Sequence, residues 1–201
     1  MKKFVPLLFT FIFVGFNCIS ETGNTASIID DTTEKRLLNH VKEVQILTTK
    51  KVSFNDKIAF FIDMKIPSGK NRFFVYDLKN RKIIDQGLVA HGSGSETGIE
   101  GKLKFSNVNK SLSTSLGKYA TGVSYNGQFG KAYKLHGLDK TNSNAFDRNI
   151  VLHKYSKVPY SEQAESICNS YGCPMVNEQY FKRIEELIDH SEKSIILDIY
   201  Y

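Results

Sequence analysis

The chain has 201 residues, of which 41% are hydrophobic and 24% charged, a composition typical of a folded globular domain and unlike that of a disordered chain. Its formal net charge is +6, but the positive residues are dispersed and do not alternate with stacking aromatics, which argues against nucleic-acid binding. A mild positive charge of this kind suits an anionic polymer as partner.

The first 18 residues predict a secretory signal. Two lysines precede an apolar run, residues 4–16, which is too short to span a bilayer comfortably, although an uncleaved anchor stays open. Cys18 ends the run where a lipoprotein signal carries its acylated cysteine, but the preceding "VGFN" is a poor lipobox, so lipidation and simple cleavage both remain open. We expect a polar tether over residues 19–30 and one exported domain over residues 31–201, in the periplasm or cell envelope.

The chain then predicts one helix followed by short strands. From Asp31, apolar residues fall on one helical stripe, with Asp or Thr available as cap: Leu37, Leu38, Val41, Val44 and Leu47. Aromatic and β-branched runs predict strands at residues 57–65, 72–79 and 82–92, paired antiparallel in that order. Further short strands are predicted at 102–107, 119–125, 131–138 and 148–155, after a Gly-rich loop at 93–101.

A second helix and a last strand close the chain. Asn177 is the predicted cap of a helix over residues 177–190, and residues 194–201 predict a strand. These patterns predict a mainly β domain, a sandwich or open barrel of short strands, with an N-terminal helix and a helix after a cysteine-containing turn.

The histidines differ in their expected surroundings. His40 and His190 lie at polar positions of predicted helices and are expected to be solvated, whereas three others end strands, where functional groups are often displayed: His91, His136 and His153. The sequence has no HExxH or CxxC pattern, so we expect no zinc site.

The segment "SYGCP", Ser170 to Pro174, contains the parts of a nucleophilic cysteine site. Gly172 permits a tight turn, and the backbone amides of Tyr171, Gly172 and Cys173 are candidates for stabilising an oxyanion. A thiol attacks as thiolate, and His153, twenty residues upstream, is a candidate base for Cys173. Spacing leaves a second interpretation open, a disulfide between Cys168 and Cys173.

"IVLH" followed by "SYGCP" resembles the signature of the L,D-transpeptidase catalytic family, and the similarity is greatest to the branch of murein L,D-transpeptidase catalytic domain proteins. "VAHGSGS", "FSN", "LHGLD" and "NSNAFDRNIVLH" occur in the order that this branch shows. The resemblance implies that Cys173 is the nucleophile and His153 the general base, that Ser170 lies on the loop beside them, and that Gly172 and Cys173 supply oxyanion amides. It makes pocket candidates of four further residues: His136, Asn144, Arg148 and Tyr171.

The resemblance also implies a reaction and its substrates. Cys173 would attack a peptidoglycan stem peptide at the L-centre of diaminopimelate, release D-Ala, and pass the acyl group to an amine, without metal or cofactor; carbapenems would acylate the same thiol. Two alternatives stay open, an L,D-carboxypeptidase or other peptidoglycan hydrolase on the same scaffold and a non-catalytic wall-binding module. The sequence departs from many members at Tyr171, where they carry His, and at Lys154 and Tyr155 after the base. It indicates no oligomeric state.

Overall fold

The computed structural model describes Met1 and residues 29–201. The predicted signal, Cys18 and most of the predicted tether lie outside the described residues. Among the described residues, no helix is both long enough and apolar enough to cross a bilayer.

Eight strands form one mixed sheet in the spatial order β3-β2-β1-β8-β4-β5-β6-β7. Their bounds are β1 Phe54–Asp63, β2 Phe73–Asp77, β3 Lys82–Gly87, β4 Gly117–Gly127, β5 Gly130–Gly137, β6 Val151–Lys154, β7 Met175–Val176 and β8 Ser194–Tyr200. The β1–β8 and β6–β7 pairs are parallel and the other pairs are antiparallel. The predicted β1–β2–β3 meander is confirmed, and so is the mainly β fold class.

The sheet curls so that its two ends approach each other. Ala90, three residues beyond β3, forms an antiparallel bridge with Met175 in β7, the opposite edge strand. The main core fills the interior of this curled sheet, with side chains from β1, β2, β4, β5, β6 and β8 packed around residues of the second helix. The arrangement places the short strands β6 and β7, which flank the cysteine turn, at the rim of a rigid core.

The strand predicted at residues 102–107 is wrong. That segment makes only one isolated bridge, Glu96 with Leu103, and otherwise runs as irregular chain. Its alternating apolar residues, Leu103 and Phe105, are partly buried against the core, so the alternation reflects packing of a loop and no ladder forms.

Helix α1, Asp31–Lys50, covers the outer face of the sheet as predicted. Its N-cap is Asp30, one residue earlier than expected, whose carboxylate accepts from the N–H groups of Thr32 and Thr33. Leu37, Val41 and Val44 are buried against β1, β2 and β8, and the predicted stripe residues Leu38 and Leu47 pack at its margins. The apolar stripe predicted from the sequence is therefore confirmed.

Charged contacts also fix α1 on the sheet, and they correct the expectation for His40. Its Nδ1 lies 2.8 Å from an oxygen of buried Asp198, and its ring stacks on Tyr200 with centroids 3.8 Å apart. Arg36 pairs with buried Asp63 at 2.8 Å. His40 is therefore a docking residue, because the carboxylates of the outer sheet face need partners when the helix covers them. His190 is exposed as predicted.

Helix α2, Glu178–Asp189, begins at the predicted cap, with Asn177 accepting from the N–H of Tyr180. Its apolar face enters the core, where Phe181 and Ile184 are buried and the Tyr180 hydroxyl donates to the Phe73 carbonyl at 2.9 Å. Because α2 starts five residues after Cys173, this packing holds the outgoing end of the cysteine turn.

Candidate active site

A cavity of about 500 Å³ opens where the β4–β5 hairpin, β6 and the cysteine turn meet. Cys173 and His153 both line it, together with Ser170 and Tyr171. Aromatic side chains from the hairpin, Tyr125 and Phe129, form part of its wall. The tertiary structure thus brings the predicted nucleophile and the predicted base to one concave site.

The cysteine turn is tied to the segment that follows β3. Ser170 donates its N–H to the His91 carbonyl at 2.8 Å and accepts from the N–H of Ser93 at 2.7 Å. The Gly172 N–H donates to Ser170 Oγ at 3.1 Å, so the side chain of Ser170 closes the turn from within. The Gly172 amide is therefore already engaged in this structure, whereas the Cys173 N–H has no acceptor among the described residues.

Gly172 and Gly92 are glycines because three chain segments approach each other closely here. Gly172 has a φ of +116°, a conformation that residues with a Cβ rarely adopt, and a Cβ there would lie 2.9 Å from the Ser113 carbonyl oxygen. A Cβ on Gly92 would lie 2.8 Å from the Gly172 Cα. Three chain segments therefore pack backbone to backbone behind the thiol, which fixes where its Cα lies.

The Cys173 sulfur lies over the start of β6. The Val151 N–H donates to Sγ at 3.5 Å, and the thiol donates to the Asn149 carbonyl at 3.7 Å. Burial raises the pKa of the Cys173 thiol, although the Val151 N–H and the charges of Arg148 and Lys134 act in the opposite direction. The resting side chain is therefore a neutral thiol at pH 7.

His153 is held in one tautomer by its own strand. Its Nδ1 lies 3.0 Å from the Lys154 carbonyl oxygen, which can only accept, so Nδ1 carries the proton and Nε2 is the basic atom. The exposed ring of Phe129 stacks on the imidazole with centroids 5.2 Å apart. Burial lowers the pKa of His153, opposed in part by the Lys154 carbonyl, so the ring is neutral at pH 7.

Cys173 and His153 are not hydrogen-bonded to each other in this structure, because the thiol donates to the Asn149 carbonyl and the imidazole, among the described residues, bonds to the Lys154 carbonyl. Both nevertheless line the cavity, where His153 lies on the same face of β6 as Val151, whose N–H contacts the sulfur. A rotation of the thiol about Cα–Cβ changes its partner without moving the backbone. Catalytic hydrogen bonds often tighten only when substrate is bound.

Of the four predicted pocket residues, only Tyr171 lines the cavity, with 78% of its surface exposed. The exposed ring of His136 stacks on Phe146 with centroids 5.1 Å apart. Asn144 bonds to Asn107, joining two loops. Arg148 donates to the carbonyls of Ser106 at 2.9 Å and Ser113 at 2.7 Å and so holds the segment against which Gly172 packs. Arg148 and Asn144 thus brace loops behind the turn.

Cys168 and Cys173 are both free thiols. Cys168 packs with a small apolar cluster around Val158 and Ile167, whereas Cys173 packs against the main core. The disulfide that spacing left open is absent between these two residues.

Sequence reasoning missed a buried polar chain beneath the turn. The guanidinium of Arg72, with 1% of its surface exposed, donates to the Val89 carbonyl and to His91 Nδ1, both at 2.8 Å. Since Nδ1 accepts, His91 Nε2 donates to Glu96, at 2.7 Å. Burial lowers the pKa of Arg72 to about 9, and burial together with the Arg72 charge lowers that of His91. In the sequence, His91 within "VAHGSGS" indicated this region, whereas no feature indicated a role for Arg72.

One group of side chains has the composition of a metal site: His40, Glu43 and Asp198. The ammonium of Lys118 lies 2.7 Å from Glu43 and 3.8 Å from Asp198, so a cation of the protein's own already pairs with the two carboxylates. The group lies between α1 and the sheet and contributes to helix docking. It does not contribute to the cavity.

The fold and the cavity define a mainly β domain with a cysteine and a histidine at one open site. The sequence profile of the family described as L,D-transpeptidase catalytic domain matches residues 29–197, and the chain belongs to this family. A comparison with curated protein sequences gives no significant match.

Solved structures similar to this chain include three that share part of its length. An L,D-transpeptidase from Xylanimonas cellulosilytica is 12% identical over 71% of this chain and 60% of its own, with a TM-score of 0.38. Bd1075 from Bdellovibrio bacteriovorus is 14% identical over 72% of this chain and 48% of its own, with a TM-score of 0.42. The helical cell shape determining protein Pgp2 from Campylobacter jejuni is 12% identical over 85% of this chain and 56% of its own, with a TM-score of 0.46. The match therefore spans less than two thirds of each of these chains.

Proposed function

We propose that this protein is an exported, cysteine-dependent L,D-transpeptidase that acts on peptidoglycan stem peptides. The observation that carries the proposal is that Cys173 and His153 line one open cavity, with His153 Nε2 left as the basic atom. Membership of the L,D-transpeptidase catalytic domain family supports the choice of substrate. Export follows from the leader predicted over residues 1–18, with or without lipidation at Cys18.

In the first half of the proposed reaction, the thiol leaves the Asn149 carbonyl and gives its proton to His153 Nε2. The sulfur attacks the carbonyl of the L-centre of diaminopimelate, forming a C–S bond and a tetrahedral oxyanion. The C–N bond to D-Ala then breaks as the imidazolium returns the proton to the leaving amine. Because the Cys173 thiol and the His153 imidazole are both neutral before the substrate reacts, proton transfer and attack occur together, and a preformed thiolate–imidazolium pair is not required.

The oxyanion needs donors that point into the cavity. The Cys173 N–H, without an acceptor among residues 29–201, is the donor that we assign first, while the Gly172 N–H becomes available only when it leaves Ser170 Oγ. Ser170 therefore acts in the proposal as the residue that shapes the turn. Tyr171, exposed at the rim, is placed to contact the stem peptide.

In the second half, an amine of a neighbouring stem gives its proton to His153 Nε2 and attacks the thioester carbonyl. The C–S bond breaks, the thiol regains the proton, and a crosslink between two diaminopimelate residues is released. A water molecule in place of the amine gives a tripeptide, the L,D-carboxypeptidase outcome. Tyr171 and Phe129 are exposed at the cavity rim, so solvent reaches the site beside them. This access of water supports the L,D-carboxypeptidase as a second candidate function.

Acylation of the purified mature domain by a carbapenem, read by intact mass, tests the nucleophile. We expect one adduct in the wild type, none in Cys173→Ala, and an unchanged adduct in the matched control Cys168→Ala. An adduct that persists in Cys173→Ala contradicts the assignment. Incubation with a disaccharide-tetrapeptide then separates the two outcomes, because a crosslinked dimer means transfer and a tripeptide without dimer means hydrolysis.

A further inference from the structure

Lys134, on β5, is a partly buried cation without a carboxylate partner. Four lysines among residues 29–201 are partly buried: Lys118, Lys131, Lys134 and Lys154. Lys118 and Lys131 pair with carboxylates at 2.7 and 2.9 Å, whereas Lys134 and Lys154 make no ion pair with any carboxylate in the described part of the chain. Removing a cation from water without a counter-ion has a cost, which a bound anion would offset.

The strand register places Lys134 beside the thiol. Lys134 is the cross-strand partner of Val151, whose N–H donates to Cys173 Sγ. Asn149 contacts both groups, since its side-chain oxygen accepts from Lys134 Nζ at 3.3 Å and its carbonyl accepts from the thiol. The ammonium and the sulfur are therefore bound to one and the same residue.

Two aromatic rings limit where the ammonium can go. Lys134 Nζ lies 4.8 Å from the ring centroid of Tyr125 and 5.7 Å from that of Phe146. Cation–π contacts of this kind hold an ammonium in place without neutralising its charge. Lys134 is consequently a positioned point charge, with hydrogen-bond capacity beyond its single bond to Asn149.

We propose that Lys134 binds the terminal carboxylate of the residue that leaves, which makes the enzyme selective for donors with a free C-terminal acid. The assignment rests on the proposed function. That carboxylate is separated from the attacked carbonyl by a single amino acid, so it must lie close to the thiol when the carbonyl does. A positive charge bound to the same residue as the sulfur is thus matched to that carboxylate.

The experiment compares two tetrapeptide donors that differ only at the C-terminus, one ending in free D-Ala and the other in D-Ala amide. kcat/KM for D-Ala or D-Ala-amide release is measured by mass spectrometry with the wild type, Lys134→Gln and Lys134→Arg. A charge-assisted hydrogen bond predicts an acid-over-amide preference of about ten- to hundredfold in the wild type. We expect Lys134→Gln to abolish this preference, chiefly through KM, and Lys134→Arg to retain part of it.

The ratio of acid to amide separates binding from an effect on the thiol. Lys134 also lowers the pKa of the Cys173 thiol, but any loss by that route affects both donors equally and cancels in the ratio. Lys131→Gln removes the same charge from the same strand, so it serves as the matched control and should keep the wild-type ratio. Thermal unfolding checks that each variant is folded.

Two results overturn the assignment alone: a wild type that cleaves both donors equally, or a Lys134→Gln variant that keeps the wild-type preference. A wild type that processes neither donor overturns the proposed function as well. The outcomes are distinguishable because only the last one removes the turnover itself.

Discussion

Replacing Gly172 by alanine tests how the cysteine turn is held. The residue has a φ of +116°, and the new Cβ would lie 2.9 Å from the Ser113 carbonyl oxygen and 3.2 Å from Ile150 Cδ1. Alanine therefore meets two penalties at once, an unfavourable backbone conformation and a close contact with another backbone segment. Arg148 bonds to that same Ser113 carbonyl, so the segment cannot retreat without breaking a second contact.

The magnitude follows from the two penalties. Backbone strain of about 1–3 kcal/mol and overpacking of about 1–3 kcal/mol together lower the free energy of unfolding by roughly 2–6 kcal/mol. For a domain of this size, that corresponds to a fall in Tm of roughly 5–20 °C. If the turn instead relaxes to remove the strain, Cys173 moves and the cost appears as lost reactivity.

Thermal unfolding and carbapenem acylation are measured on the same samples. Gly98→Ala is the matched control, because Gly98 also has a left-handed φ, +75°, but a Cβ there has no atom within 4 Å. Backbone strain alone should lower the free energy of unfolding of the control, by about 1–2 kcal/mol, and the control should keep the wild-type acylation rate. A Gly172→Ala variant as stable and as reactive as Gly98→Ala would show that backbone contact behind the thiol does not position it.

Two further predictions concern the base and the buried chain. Phe129→Ala exposes the imidazole to water and thereby raises the depressed pKa of His153 toward its ordinary value. The acid limb of the pH–rate profile should therefore move to higher pH. An acid limb that does not move would show that Phe129 does not shield the imidazole from water. Arg72→Met leaves His91 Nδ1 and the Val89 carbonyl without their donor, so it should lower the free energy of unfolding, measured in urea, by about 2–5 kcal/mol. The control is Arg183→Met, which removes an exposed ion pair with Asp85 and should lower the free energy of unfolding by less than about 1 kcal/mol. Equal losses of stability in the two variants would contradict the argument.

Most secondary-structure elements could be predicted because their signals are local. The stripe of α1, the Asn177 cap of α2 and the alternating runs of β1, β2 and β3 each depend on residues adjacent in the chain. The failed strand at 102–107 shows the limit of this reasoning. An apolar alternation indicates that side chains are buried, but a strand also needs a neighbour with free backbone groups, which the sequence does not name.

The residues of the candidate site likewise fall into two groups, those that the local sequence identifies and those that only the tertiary structure brings together. Ser170, Gly172 and Cys173 are contiguous, so their chemistry could be recognised together, and His153 ends an identifiable apolar strand. Phe129, Lys134 and Arg72 lie far from the turn in sequence, and no residue type or spacing links them to it. Their relation to it depends on strand register and on the curl of the sheet.

The sequence by itself determined the mainly β fold class, the two flanking helices, and the presence of a thiol in a turn and an imidazole at the end of a strand, both suited to chemistry. Local conformational preferences and hydrophobic periodicity suffice for that, since both act over a few residues. The tertiary structure alone decided that these two groups share a cavity, that Lys134 and the thiol both bond to Asn149, and that the pocket candidates Asn144 and Arg148 brace loops instead. Contacts between distant segments depend on how the sheet closes, which no short stretch of residues specifies.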